Sequence, residues 1–183
     1  MASYLIVYAS DEGQTGKIAG YIEQVLRNLG NEVSVFNASE ATERVSFEDI
    51  DAVLIGASIH VSKHQAAIYG FVEERLDAIE AIPNAFFQVS LSSASEEGRE
   101  QAAGYVEAFI EATNWQPDQI GLFGGALRYS EYGFLKRTMM KQISKKTIEE
   151  LPDPDEYGDY EFTDWDEVAA FATDFDSFVD QLS

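Results

Sequence analysis

The chain has 183 residues, of which 45% are hydrophobic, so it is long enough for one domain with a sizeable core and too short for two ordinary domains. It contains no cysteine, which excludes disulfides, thiolate nucleophiles and cysteine-ligated clusters, and leaves any redox chemistry to a bound cofactor. The formal charge of −21 at pH 7 predicts an acidic surface that repels nucleic acid and is typical of proteins adapted to concentrated salt.

Short apolar runs alternate with longer segments of helical period, which is typical of a parallel sheet built from βαβ units. The predicted strands span residues 4–8, 32–36, 52–55, 85–91 and 119–124. The predicted helices span residues 15–29, 65–81, 98–113 and 164–182. Gly30 is the candidate C-cap of the first helix, and Thr163 is the candidate N-cap of the last. Asp166 is at the third helical position of that last helix, where a capping box would have Glu or Gln. We predict one α/β domain over residues 1–183, with a doubly wound, five-stranded parallel sheet of order 2-1-3-4-5.

Roughly 40 residues separate the fifth strand from the last helix, where about two to six would suffice, so we predict an insertion at about residues 129–162. Phe134, Leu135, Met139, Met140 and Ile143 recur at roughly helical spacing and predict an amphipathic helix. It carries five basic residues: Lys136, Arg137, Lys141, Lys145 and Lys146. Two interpretations of this basic helix stay open: peripheral contact with the inner face of the cell membrane, and docking onto the acidic body of the same molecule.

The segment after the first strand has the residues of an anion-binding loop. Ser10, Asp11, Glu12, Gly13, Gln14, Thr15 and Gly16 follow the strand and lead directly into a helix. Backbone amides at a helix N-terminus, together with the hydroxyls of Ser10 and Thr15, form a cradle for a terminal phosphate without needing a lysine. The alternative is an ordinary capped turn, since Ser, Asp and Gly start many helices.

Three other nucleotide or phosphate sites do not match this loop. The dinucleotide pattern Gly-x-Gly-x-x-Gly and the Walker pattern Gly-x-x-x-x-Gly-Lys are both absent from it. A phosphoacceptor receiver domain needs an Asp at the end of strand 3, where this chain has Gly56, Ala57 and Ser58.

Two further loops of small and polar residues are predicted at the same edge of the sheet, after strands 3 and 4. Their candidate cofactor-binding residues are Ala57, Ser58, Ile59 and His60, and Ser90, Leu91, Ser92 and Ser93. Such loops let a flat ring such as isoalloxazine approach backbone amides and carbonyls. The two histidines, His60 and His64, are spaced to share one helical face, but no carboxylate pattern accompanies them, so we predict no metal site.

Four motifs in register resemble the flavodoxin-type, menaquinone-dependent protoporphyrinogen IX dehydrogenase family. They are Ser-x-x-Gly-Gln-Thr at residues 10–15, Ile-Gly-Ala-Ser-Ile at 55–59, Gly-Gly-Ala-Leu-Arg-Tyr at 124–129 and Phe-Thr-Asp-Trp at 162–165. The resemblance spans essentially the whole chain and implies a flavodoxin-like fold. It also implies non-covalent FMN, with its phosphate at residues 10–15 and its ring at the two later loops.

The resemblance further implies a porphyrinogen substrate and a quinone acceptor, within haem biosynthesis. Arg128 is a candidate to clamp a substrate propionate, or else a surface arginine paired with Glu131 or another carboxylate. His60 lies where the family more often has an arginine-like residue. Two functional alternatives remain: an electron carrier of the flavodoxin type, and a flavoprotein with a different substrate.

The first residues enter a strand at once, and no run of about 18 apolar residues occurs anywhere in the chain. We therefore expect a cytoplasmic protein.

Overall fold

The computed structural model describes residues 1–10, 13–40, 45–60, 63–128, 138 and 158–182. The strands of its main sheet are β1 (Ser3–Ala9), β2 (Glu32–Asn37), β3 (Ala52–His60), β4 (Lys63–His64), β5 (Asn84–Ser90) and β6 (Gln119–Gly124). Five of these are parallel, in the order β2-β1-β3-β5-β6, and β4 pairs antiparallel with the end of β3. The predicted sheet order 2-1-3-4-5 is confirmed.

Helices cover both faces of this sheet: α1 (Gln14–Asn28), α2 (Ala66–Glu80), α3 (Glu96–Thr113) and α4 (Trp165–Leu182). Successive side chains of β1 point to opposite faces. Tyr4 and Ile6 pack in one cluster with α1 and α4, whereas Leu5 and Val7 pack in a second cluster with α2 and α3. Strands buried on both faces need apolar residues at nearly every position, which explains the continuous apolar runs of the sequence.

Helix ends agree with the sequence prediction at one terminus and differ at two others. Gly30 follows the C-cap of α1 with φ of 95°, the left-handed conformation that favours glycine. The predicted N-cap Thr163 is wrong, because Asp164 Oδ1 accepts from the backbone N–H groups of Asp166 and Glu167 at 3.0 and 3.1 Å. Asp166 is therefore at the second helical position, not the third. Helix α3 begins two residues earlier than predicted, where the Ser95 hydroxyl caps it.

Strand β3 is longer than predicted, so the segment predicted as a loop after strand 3 lies within the sheet. Gly56, Ala57 and Ser58 pair with β5, and Ile59 pairs with His64 of β4. Gly56 lies against the ring of Phe87, whose Cζ would be 2.0 Å from a Cβ at that position. His60 and His64 consequently occupy two adjacent strands and do not share a helical face.

A two-stranded ribbon closes the base of the predicted insertion. Strand β7 (Ala126–Leu127) pairs antiparallel with β8 (Tyr160–Glu161), and the Phe162 N–H donates to the Gly125 carbonyl at 2.9 Å. The predicted basic helix lies outside the described residues, apart from the exposed, helical Thr138. No helix within the described ranges is both long enough and apolar enough to cross a membrane.

Candidate functional site

The predicted phosphate loop connects β1 to the N-terminus of α1. Gly13 is the N-cap residue of α1 and has φ of 85°, which a residue with a Cβ rarely adopts. Its N–H donates to Ser10 Oγ at 2.8 Å, which leaves the proton of the Ser10 hydroxyl available to another acceptor. Asp11 and Glu12 lie outside the described residues. In the described part of the loop, no side chain accepts from the first N–H groups of α1, so they remain donors for a ligand.

Thr15 adds a buried hydroxyl to this set of donors. The residue is fully buried, and its Oγ1 has no hydrogen-bond partner among the residues that the structure describes. A buried hydroxyl without a partner costs about 1–3 kcal/mol, so such an atom is expected where a ligand completes the site. Helical N–H groups, two hydroxyls and no acidic residue in the first turn of α1 fit an anionic oxygen group such as a phosphate.

A chain of hydrogen bonds ties this loop to the end of β6 and the start of α4. Arg128 Nη2 donates to Gln14 Oε1 at 3.1 Å, and Gln14 Nε2 donates to Thr163 Oγ1 at 2.8 Å. The Thr163 hydroxyl in turn donates to the Gly124 carbonyl at 2.7 Å. The first residue of α1 therefore contacts both ends of the insertion, and Thr163 serves this network in place of the predicted cap. Glu131, the alternative partner of Arg128, lies outside the described residues.

Glu161 of β8 makes a second set of contacts beside the predicted phosphate loop. Lys17 Nζ lies 3.3 Å from Glu161 Oε2, and Trp165 Nε1 donates to Glu161 Oε1 at 2.9 Å. Burial alone would raise the pKa of Glu161, but hydrogen bonds from Trp165, Gln14 and Lys17 lower it below its ordinary value. The carboxylate is thus held ionised, and the charge of Lys17 is paired with it.

The side chains of Ala57 and Ser58 are engaged within the protein. The Ala57 side chain is buried in the core between the sheet and helices α2 and α3. Ser58 donates its N–H to Gln65 Oε1 at 3.2 Å, and its Oγ accepts from Gln65 Nε2. Ile59 and His60 continue β3 and pair with β4. Residues 57 and 58 therefore offer a flat ligand their backbone rather than free polar side chains.

The hydroxyls of the serine-rich segment after β5 are also satisfied internally. Ser90 Oγ and Ser93 Oγ lie 2.8 Å apart, and the Ser93 N–H donates to Ser90 Oγ at 3.2 Å. Ser92 Oγ donates to Gln101 Oε1 at 3.0 Å. Leu91 packs against Leu127 of β7 and is the half-buried apolar residue of this segment. These bonds fix a rigid edge close to the ribbon that closes the insertion.

Sequence reasoning missed the buried polar pair formed by His64 and Gln88. His64 Nε2 lies 2.8 Å from Gln88 Oε1, and Gln88 Nε2 donates to the Ala102 carbonyl at 2.9 Å, so His64 must be the donor. The rings of Tyr69, Phe86 and Phe109 surround the imidazole. Burial lowers the pKa of His64 to about 4, against the opposing effect of the Gln88 hydrogen bond. Its imidazole is therefore neutral near pH 7, and its role is structural.

Comparisons with known proteins agree with this arrangement. Residues 5–152 match the Flavodoxin domain family. The protoporphyrinogen IX dehydrogenase (quinone) of Escherichia coli K12 is 33% identical over 178 residues, covering 97% of this chain and 96% of that protein. The Leishmania major protein of the same name is 30% identical over 175 residues, covering 93% of this chain and 73% of its own.

Solved structures support the fold alone, because the sequence identities are low. A short-chain flavodoxin associated with a bacterial microcompartment superposes with a TM-score of 0.57 at 12% identity, over 98% of this chain and 99% of that one. Flavodoxin 2 of Bacillus cereus gives a TM-score of 0.54 at 17% identity, over 97% and 99% of the two chains. The flavodoxin-domain match supports FMN as the cofactor. The chain belongs to the flavodoxin-domain family and, within it, to the group of the protoporphyrinogen IX dehydrogenases (quinone).

Proposed function

We propose that this protein is an FMN-dependent oxidoreductase that dehydrogenates protoporphyrinogen IX and passes the electrons to a quinone. The substrate is inferred from the 33% identity to a protoporphyrinogen IX dehydrogenase (quinone) over 97% of the chain. That extent includes the segment between β6 and α4. The observation that supports the cofactor is the buried hydroxyl of Thr15 at the N-terminus of α1, which has no partner in the described part of the chain.

Different parts of the described site would bind the phosphate and the ring of this cofactor. Ser10, Thr15 and the free N–H groups of α1 would hold its phosphate, and the backbone of β3 and of residues 90–93 would flank its ring. When bound, FMN supplies the two-electron acceptor that a chain without cysteine lacks. The protein then has no need of a side-chain nucleophile. Its task is to position the ring and to keep the neighbouring hydroxyls tied to one another, as Ser90 and Ser93 are.

Anaerobic turnover of the FMN-loaded protein tests the proposal. Protoporphyrinogen IX is supplied with menaquinone, and protoporphyrin IX is followed by its fluorescence, in parallel with apoprotein and with FMN-reloaded apoprotein. We expect porphyrin to form only when protein, FMN and quinone are all present. A flavin that is reduced by dithionite but not by protoporphyrinogen would refute the activity and favour an electron carrier of the flavodoxin type.

The quinone and the membrane contact are finer parts of the same proposal. We infer menaquinone as the acceptor and peripheral contact with the membrane through the five basic residues of the insertion, Lys136, Arg137, Lys141, Lys145 and Lys146. Cosedimentation with anionic liposomes tests the contact. Wild-type protein should bind at low salt and a variant with all five residues changed to Gln should not. Equal binding by the two proteins would contradict the contact.

We also infer that the acidic surface adapts the protein to concentrated salt. The chain has 33 Asp and Glu residues against 12 Lys and Arg, and no carboxylate belongs to the buried polar side chains of the described residues. Like charges crowded on the surface repel one another until salt screens them. The thermal midpoint should therefore rise steeply with potassium chloride. A midpoint that does not change between low and molar salt would contradict the inference.

A further inference from the structure

We propose that Arg128 selects the phosphate at this site, because its guanidinium contacts the first residue of α1 and keeps one buried donor that has no partner among the described residues. In chemical terms, Arg128 makes the site bind a flavin that bears a phosphomonoester dianion in preference to the same flavin without one. The inference rests on the proposed FMN cofactor and names a residue that sequence reasoning considered only for a substrate carboxylate or a surface ion pair.

The ribbon of β7 and β8 positions Arg128 next to the phosphate loop. Arg128 directly follows β7, where the fully buried Leu127 packs against Leu91, Tyr160 and Phe162. Its Nη2 donates to Gln14 Oε1 at 3.1 Å. Gln14 and Thr15 are the first two residues of α1, so the guanidinium reaches the end of the helix whose first N–H groups bond to no described side chain.

Two buried polar atoms without a partner belong to this region of the described structure. Within the part of the chain that the structure describes, the buried side-chain polar atoms without a hydrogen-bond partner are Thr15 Oγ1 and Arg128 Nε. One belongs to the residue after Gln14 and the other to the residue bonded to the Gln14 side chain. A guanidinium has five N–H donors in a planar fork that matches the oxygens of a phosphate. A single anionic group at the loop can satisfy both orphaned atoms.

Three other cations of the described structure are paired with carboxylates. Lys17, one turn into α1, is paired with Glu161 at 3.3 Å. Arg27 pairs with Glu23 near the far end of α1, and Arg99 pairs with Glu167 of α4. Arg128 has its Gln14 contact with a neutral amide oxygen, so its charge is not cancelled there. In a chain of net charge −21, this cation offsets the repulsion that a dianion would otherwise meet.

Flavin binding by Arg128→Met, Arg128→Lys and wild type tests the inference. Quenching of flavin fluorescence gives the Kd of each apoprotein for FMN and for riboflavin, which lacks the phosphate. We expect Arg128→Met to weaken FMN by about tenfold to a hundredfold, as for loss of a charge-assisted hydrogen bond, and to leave riboflavin within about twofold of wild type. Arg128→Lys keeps the charge but loses the planar fork of N–H donors, and its FMN affinity should lie between those of wild type and Arg128→Met.

Lys17→Met is the matched control, because it removes a nearby cation that is already paired with Glu161. It should change FMN affinity by less than about threefold. The FMN Kd of wild type should also rise with salt more steeply than that of Arg128→Met, since one ionic contact is missing from the variant. Circular dichroism of each apoprotein shows that the variants are folded.

Three results would overturn the assignment of Arg128. Equal weakening of FMN and riboflavin would make Arg128 a structural residue of the insertion stem. Unchanged FMN affinity with a raised KM for protoporphyrinogen would make it the substrate clamp. Equal losses of FMN affinity in Lys17→Met and Arg128→Met would show that the affinity depends on the net charge near the loop and not on Arg128 itself. Failure of the proposed cofactor has a different signature, because wild-type protein would then bind neither flavin.

Discussion

The buried imidazole of His64 predicts a loss of stability in mild acid. Burial lowers its pKa from the ordinary 6.5 to about 4 in the folded protein. The unfolded chain therefore takes up a proton as the pH falls through about 6.5, whereas the folded protein does so only near 4. The free energy of unfolding must fall across this window and be restored above it. At about 1.4 kcal/mol per pKa unit, the loss attributable to His64 approaches about 3 kcal/mol near pH 4.

The variant His64→Gln separates this effect from the titration of the many carboxylates. Its amide can still donate to Gln88 Oε1, the present partner of His64 Nε2 at 2.8 Å, but it does not titrate. Urea unfolding of both proteins is measured from about pH 7 to about pH 4 at one fixed, high salt concentration. The difference in unfolding free energy, wild type minus variant, should decrease by about 3 kcal/mol as the pH falls. A difference that stays constant with pH would refute a neutral, buried His64.

Four further substitutions test the site and the fold. Thr15→Val should weaken FMN about tenfold in a fluorescence titration without lowering the stability of the apoprotein, because the lost hydroxyl has no partner in the described structure; a large loss of apoprotein stability would contradict this. Gly13→Val should cost about 1–2 kcal/mol in urea unfolding and abolish tight FMN binding, because φ is 85°; a Cβ there meets no atom within 4 Å, so the cost comes from the backbone conformation and not from a clash. Unchanged FMN affinity in this variant would contradict the assignment of the phosphate loop. Gly56→Ala should destabilise by about 1–3 kcal/mol, because a Cβ would lie 2.0 Å from Phe87 Cζ, and a neutral result would contradict that packing. Asp164→Ala should cost about 1 kcal/mol as a lost N-cap, whereas an unchanged thermal midpoint would argue against the cap.

Local sequence signals predicted the fold because they depend on short-range chemistry. Strands buried on both faces need continuous apolar runs, and these located all five parallel strands, although β3 extends further than the prediction. Gly30 was predictable because a left-handed residue after a helix favours glycine.

The parts that sequence reasoning missed depend on contacts between distant residues. Gln14 bonds to Arg128 and to Thr163, which lie 114 and 149 residues away along the chain. No local pattern carries that information. A long-range contact also explains the wrong prediction of the helix cap. Ser, Thr and Asp all favour N-caps, and Asp164 is the N-cap because the Thr163 hydroxyl is bound to the Gly124 carbonyl. His64 was ambiguous for a related reason, since its partner Gln88 lies on another strand.

The most direct test of the proposed function is the redox state of the bound flavin during one anaerobic reaction cycle. FMN-loaded protein is mixed with protoporphyrinogen IX in molar potassium chloride, and the visible absorbance of the flavin is followed before and after menaquinone is added. The proposed function predicts that the oxidised-flavin band disappears when the porphyrinogen donates two electrons and returns with the quinone. A flavin band that protoporphyrinogen leaves unchanged, in protein that dithionite reduces and menaquinone reoxidises, would contradict it.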